Sequence, residues 1–168
     1  MVPPTDEATL LGELNNPRQR DAAFCKLVSN YGPVLHRHLL RMLHSGADTD
    51  DVLQNTLVKA YRNLSKFRGD SKLSTWLYRI ATNEALSWLR SNQRRNARFS
   101  SEEPGTIAGR HLEADAYFDG DAAQAHLQRA LATLPTKQSA VFSFRYFDDL
   151  PYREISEITG TSEGALKA

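Results

Sequence analysis

The stretch Phe67–Arg95, FRGDSKLSTWLYRIATNEALSWLRSNQRR, decides how the chain is read. A glycine-containing turn leads into a long run with helical spacing, two tryptophans and a basic tail. At about 100° per residue from a start near Ser74, Leu77, Ile80, Ala81, Ala85, Trp88 and Leu89 share one side and are expected to pack inward. Trp76, Arg79, Asn83, Ser87, Arg90 and Arg94 recur on a second side. That stripe is polar and basic, with an aromatic at its head, and Lys66, Phe67, Arg68 and Lys72 flank the turn above it.

Outside this stretch the signals are also helical. Apolar residues recur at three and four, and alternating runs are missing, so the fold class expected is all-α. Residues 20–43 read as amphipathic helices punctuated at Gly32-Pro33, with Phe24, Leu27, Val28, Val34, Leu35, Leu39, Met42 and Leu43 inward. GADTDD then caps a helix from about Asp50 to Leu64, whose inner face is Leu53, Leu57, Ala60 and Leu64. Asp51, Gln54, Asn55, Val58 and Arg62 are left facing outward.

From Asn96 to Asp121 the texture changes, with three glycines, a proline, and six acids against two arginines. Val52–Arg95 has nine Lys or Arg against two acids, so a formal net charge of +1 conceals a polarised molecule. The organisation expected is two small helical domains, 1–95 and 122–168, joined by a flexible acidic linker over 96–121. In the second domain Ala123, Leu127, Ala130, Leu131 and Leu134 make one face. Pro135 stands at a first helical position, and Ala140, Val141, Phe144 and Phe147 continue the packing in a second helix.

The 168 residues, 40% apolar, suit one ordinary domain or two small ones. Cys25 is the only cysteine and the five histidines are scattered, so neither a disulfide nor a metal centre is expected, and no cofactor. No run approaches the ~20 apolar residues of a membrane span, and MVPPTDEATL lacks the form of a signal peptide. A cytoplasmic protein without membrane insertion is expected.

Cations neutralise phosphates and give salt-sensitive affinity without sequence choice. Aromatic rings and an amide can stack on, and hydrogen-bond to, bases that have left the duplex. The stripe therefore suits partly single-stranded nucleic acid; the same spacing is also met if Trp76 and Phe67 are core and the arginines a solvated face. Near the C-terminus, LPYREISEITGTSEGALKA has a short helix around Tyr152–Thr159, Gly160 as terminator and Ser162 as cap of another helix. That is the pattern of a helix-turn-helix, or of a purely structural hairpin.

DVLQNTLVKAYRNLSKFRGDSKLSTWLYRIATNEALSWLR, followed by a loose linker and LPTKQSAVFSFRYFDDLPYREISEITGTSEGALK, resembles the ECF (extracytoplasmic function) sigma factors of bacterial RNA polymerase. The resemblance covers about residues 20–168. It implies that the first block is sigma region two and the last region four. Lys66, Phe67, Arg68, Gly69, Asp70, Ser71 and Lys72 would form the loop that captures a flipped base of the minus-ten element, with Asn83 beside that pocket. Trp76 would align with an aromatic implicated in strand opening, and Arg79, Arg90 and Arg94 would grip backbone.

By the same resemblance, Asp51, Gln54, Asn55, Val58 and Arg62 would meet the clamp helices of core RNA polymerase, and the acidic segment would thread towards its active-site channel. Arg153, Ser162, Glu163, Gly164 and Lys167 would approach the minus-thirty-five element. Promoter DNA and an anti-sigma factor are the other partners implied. No residue would catalyse anything, since polymerase supplies the chemistry.

Two features depart from the family pattern. The sequence ends at Ala168, which would leave the recognition helix about two turns, as expected of a fragment or of a truncated product with impaired duplex recognition. Thr161 stands where an apolar residue is usual, and Ala165 where threonine is common. The readings weighed against a sigma factor are a stand-alone helix-turn-helix regulator, which leaves the basic and aromatic constellation unexplained, and an enzyme acting on nucleic acid, for which no catalytic arrangement stands out.

Overall fold

The computed structural model of the chain describes residues 7–99, 127, 129–131 and 133–167, and among these no strand occurs. The helices are α1 (Glu7–Asn15), α2 (Arg20–Leu43), α3 (Gly46–Asn63), a 3₁₀ turn at Leu64–Lys66, α4 (Leu73–Phe99), α5 (Thr136–Tyr146), α6 (Tyr152–Thr159) and α7 (Glu163–Lys167). The all-helical expectation holds for the described residues. Helix α4 runs on to Phe99, four residues into the stretch expected to be linker. Residues 100–121, the rest of that stretch, and Ala123 lie outside the described residues.

The break expected at Gly32-Pro33 is absent, and α2 is one helix of 24 residues with Pro33 inside it. Proline removes one helical hydrogen bond and crowds the turn before it, at a cost of ~3 kcal/mol. Burial on both sides of it outweighs this: Ala23, Leu27, Leu35, Leu39, Met42 and Leu43 are all buried, and each large apolar side chain contributes roughly 1.5–3 kcal/mol. Helix α3 starts earlier than Asp50, because Ser45 is its cap and its hydroxyl accepts from the Asp48 amide at 3.4 Å. Its buried side is Thr49, Val52, Thr56 and Ala60, with Leu53 and Leu57 only half-buried. Two threonines on the inner face obscured this register; Thr56 Oγ1 satisfies itself by donating to the Val52 carbonyl at 2.8 Å.

On α4 the buried residues are Leu73, Thr75, Leu77, Tyr78, Ala81, Thr82, Ala85 and Leu89, while Ile80 and Trp88, expected inward, are half-buried. Pro135 is the N-cap rather than the first residue of α5. Of the face expected before it, Leu131 is buried, but Leu127, Ala130 and Leu134 are exposed. Val141 and Phe147 are half-buried, and Ala140 and Phe144 buried. The hairpin is as expected: Gly160 ends α6 in the left-handed conformation at φ 69°, and Ser162 Oγ accepts from the Ala165 amide at 3.4 Å.

The two helical blocks pack on one another and share one core. Ala140, Phe144, Ile155 and Ile158 of the second belong to the same buried cluster as Leu39, Leu73, Leu77 and Ala81 of the first. At the seam Phe144 is fully buried, stacked on the His38 ring at 4.2 Å between centroids and edge-on to Tyr78 at 5.3 Å. Asp148 is presented to the seam by the turn after α5, where Asp149 adopts φ 52°. Its carboxylate accepts from Arg41 Nη2 at 2.6 Å and lies 3.4 Å from His38 Nδ1. His38 Nε2 is 3.3 Å from the Thr82 hydroxyl.

Burial holds the His38 imidazole below its ordinary value of 6.5, against the pull of Asp148 and with a small addition from Arg41. Burial raises the Asp148 carboxyl, but His38 and Arg41 reverse this and leave it below the ordinary 3.8. Burial also raises the Tyr78 phenol, which stays neutral. The other charge that acts at this seam is Arg37 of α2, felt at Tyr78.

A lowered histidine means that the unfolded chain binds the proton more readily, so stability is full above about 6.5 and falls as pH drops through the folded value. The Asp148 contribution, present above about 3.8, is lost at still lower pH. The melting temperature is expected to drop between pH 7.5 and 5.5, and His38→Gln, which cannot charge, to flatten that slope. An unchanged wild-type melting temperature across the range would contradict the assignment of His38 as a buried neutral ring.

Candidate nucleic-acid and polymerase interfaces

The loop before α4 is shaped locally. The 3₁₀ turn closes with the Phe67 amide donating to the Leu64 carbonyl at 3.0 Å. Gly69 then takes φ 77°, a conformation that a side chain would strain although space around it is open. Lys66, Arg68, Gly69 and Asp70 are exposed, and Ser71 is half-buried. Phe67 and Trp76 are half-buried and touch, with centroids 5.2 Å apart and planes tilted by 51°. Trp76 therefore does not head the stripe as a free ring. It forms a floor on which Phe67 rests.

Below the loop Arg79, Asn83, Ser87, Arg90 and Arg94 are all exposed, as expected of one helical side. Arg90 is held along the helix, donating to the Leu86 carbonyl at 3.2 Å and to Ser87 Oγ at 3.4 Å. The upper end of the stripe is engaged by the second block. Lys72 pairs with Glu154 of α6, and Arg79 Nε donates to the Glu157 carbonyl at 3.0 Å. Nothing in the sequence pattern marks this, because the partners lie about 80 residues away.

On α3, Asp51, Gln54, Asn55, Val58 and Arg62 are exposed together. Beside them lies a hollow of about 260 Å³ lined by Phe24, Gln54, Leu57, Val58, Tyr61 and Arg62. Its wall is organised: Tyr61 packs edge-on against Phe24 at 5.1 Å, and its hydroxyl donates to Asp21 at 2.7 Å. Arg20 lies over the same ring at 4.8 Å and donates to the Tyr61 carbonyl at 2.8 Å. Phe24 and Tyr61 were not among the expected contacts. Tyr61 was legible as an exposed aromatic seven residues after Gln54, on the same helical side.

In the second block Arg153, Ser162, Glu163, Gly164 and Lys167 are exposed. Arg153 lies 3.7 Å from Glu157 and Lys167 3.4 Å from Glu163, and exposed pairs of this kind are worth little, ~0–1 kcal/mol. Leu166 is the residue of α7 that packs on the core. Among the described residues no three His, Cys, Asp or Glu side chains converge as metal ligands, and no helix is long and apolar enough to cross a membrane.

The arrangement, an exposed basic stripe beside an aromatic-floored loop, a separate polar face on α3 and a helix-turn-helix, has counterparts. The family description Sigma-70 region 2 matches residues 27–95, and Sigma-70, region 4 matches residues 125–168. The RNA polymerase sigma-H factor of Pseudomonas aeruginosa is 30% identical over 153 residues, which cover 87% of this chain and 79% of that protein. The ECF RNA polymerase sigma-E factor of Haemophilus influenzae is 32% identical over 153 residues, 87% and 80% of the two chains. The fold is shared with a solved sigma factor RpoE of Bartonella quintana, in complex with the anti-sigma factor NepR, at a TM-score of 0.67 and 23% identity, covering 86% of this chain and 87% of that one. These matches, over both helical blocks in order, show that the chain belongs to the ECF sigma factors of RNA polymerase.

Proposed function

We propose that this sigma factor, which directs RNA polymerase to promoters to initiate DNA-templated transcription, divides the work between residues 1–95 and 122–168, joined through 96–121. The loop Lys66–Lys72 with Asn83 takes an extruded base of the minus-ten strand, and Arg79, Arg90 and Arg94 hold the backbone. The observation that carries this is the alignment of exposed Asn83, Ser87, Arg90 and Arg94 beneath a loop whose Phe67 rests on Trp76. Asp51, Gln54, Asn55, Val58 and Arg62, with the apolar hollow walled by Phe24 and Tyr61, meet core polymerase. Arg153, Ser162, Glu163, Gly164 and Lys167 approach the minus-thirty-five element. The chain then acts in the cytoplasm, without catalysis or cofactor of its own, and an anti-sigma factor of the kind seen with the Bartonella protein is its regulator.

The docked arrangement bears on this reading. The two elements lie about 25 base pairs apart, roughly 85 Å at ~3.4 Å per pair. Modules that share a core cannot reach both, and Lys72 and Arg79 are occupied by α6. Promoter reading requires the second block to leave, and a segment of 22 residues, 100–121, spans at most about 80 Å, which is of the right order.

The reading is tested by adding the protein to sigma-free core polymerase and a promoter library of randomised sequence. Promoter-dependent transcripts are expected; their absence sinks the reading, and degradation of template indicates an enzyme instead. Asn83→Ala or Phe67→Ala is expected to weaken open-complex formation on a recovered promoter while leaving core binding unchanged, and equal loss of both would count against the loop assignment. Val58→Glu, which puts a charge into the apolar hollow, is expected to reduce core binding about tenfold or more, consistent with the ~1–3 kcal/mol of an interface anchor; unaltered affinity would remove α3 as the polymerase face.

A further inference from the structure

The start of α4 lacks a cap of its own. The residue before Leu73 is Lys72, whose ammonium has donors and no acceptor, whereas helix starts favour Ser, Thr, Asp or Asn at that place. An acceptor nevertheless reaches the first amide of the helix. Glu7, on α1 and 66 residues away, accepts from the Leu73 amide through Oε1 at 2.7 Å.

We propose that Glu7 is a positioning residue for promoter reading: it caps α4 from another helix and so fixes the point where the loop Phe67–Lys72 hands over to the stripe. The inference rests on the assignment of that loop to the extruded minus-ten base. Three observations give it weight. Leu73 is buried and its amide is bonded to a half-buried carboxylate, so removing Glu7 exchanges a fixed charged acceptor for solvent at the first turn of the helix. A negative group at this end also complements the helix dipole. And α1 is anchored for the task, with Leu10 and Leu14 both buried at 2% exposure and Glu13 accepting from Lys26 at 2.7 Å.

The carboxylate lies within electrostatic range of Tyr31 on α2, where burial first and the Glu7 charge second raise the phenol above its ordinary value. Glu7 thus sits where α1, α2 and the start of α4 converge. The consequence for the loop is direct. The first turn closes with the Trp76 amide donating to the Lys72 carbonyl at 3.1 Å, and Trp76 is the seat of Phe67. Fraying at Leu73 therefore displaces both ends of the promoter loop while leaving the α3 face, on a different helix, untouched.

The test uses the full chain assembled with core polymerase and a promoter recovered from the randomised library, held open by mismatches at its minus-ten element. Glu7→Ala is expected to lower affinity for this bubble about tenfold, the scale of a lost helix cap, and to leave affinity for core polymerase unchanged. Hydrogen exchange of the amides from Leu73 to Trp76 is expected to accelerate by a similar factor. Glu7→Gln keeps a carbonyl acceptor at the same reach and is expected to restore most of both. Bubble affinity unaffected by Glu7→Ala, or lost in parallel with core binding, or not recovered by Glu7→Gln, would overturn the proposal. A wild-type protein that does not distinguish bubble from duplex would instead overturn the loop assignment, leaving Glu7 a structural cap alone.

Discussion

The structure depends on the exclusion of one ring from water. Phe144 is wholly buried between the imidazole of His38 and the phenol of Tyr78, and aromatic contacts of this geometry add ~0.5–1.5 kcal/mol beyond the area they bury. Phe144 belongs to the second block and the other two rings to α2 and α4 of the first. Around them Arg41 and Asp148 meet at 2.6 Å with little solvent access. A buried charge pair is weak evidence of net stability, but removing one partner leaves the other charge uncompensated, at roughly 3–5 kcal/mol. The seam is thus specific in what it accepts: a flat ring, one carboxylate and a neutral histidine.

That seam governs which parts of the functional surface are open. The cations nearest the loop, Lys72 and Arg79, face the second block and are bound to it. Those further along, Arg90 and Arg94, face solvent. The α3 face and its hollow are likewise exposed. In this arrangement the α3 side is open, whereas the upper end of the α4 stripe is covered by α6. Long-range cation-phosphate attraction can still act through the exposed end of the stripe, since it depends on charge rather than on contact.

Much of the site was legible in the sequence because it is carried by periodicity within single helices. The side Arg79–Asn83–Ser87–Arg90–Arg94 and the side Gln54–Val58–Arg62 follow from 3.6 residues per turn, and the structure keeps each exposed as a set. The hairpin at Gly160 was legible for the same local reason. Less legible were positions where composition and burial disagree. Thr49 and Thr56 occupy the buried side of α3, and His38 and Asp148 the seam, though each residue type is usually found at the surface. Pro33 was read as a break, but a proline interrupts a helix only when packing on either side cannot outweigh the lost hydrogen bond.

By itself the sequence determined the helical class, the order of the two blocks and the charge carried by each exposed side, because all of these are set by neighbours within a turn or two. Only the tertiary structure decided that the blocks share a core, that Trp76 supports Phe67 instead of standing free, and that Glu7 supplies the cap Lys72 cannot. The physical reason is the same in each case. A shared core, a ring contact and a capping hydrogen bond are each satisfied by single side chains of matching shape and polarity, whether the partners stand nine positions apart, as Phe67 and Trp76 do, or 66 and more, and a single match leaves no repeating pattern along the chain.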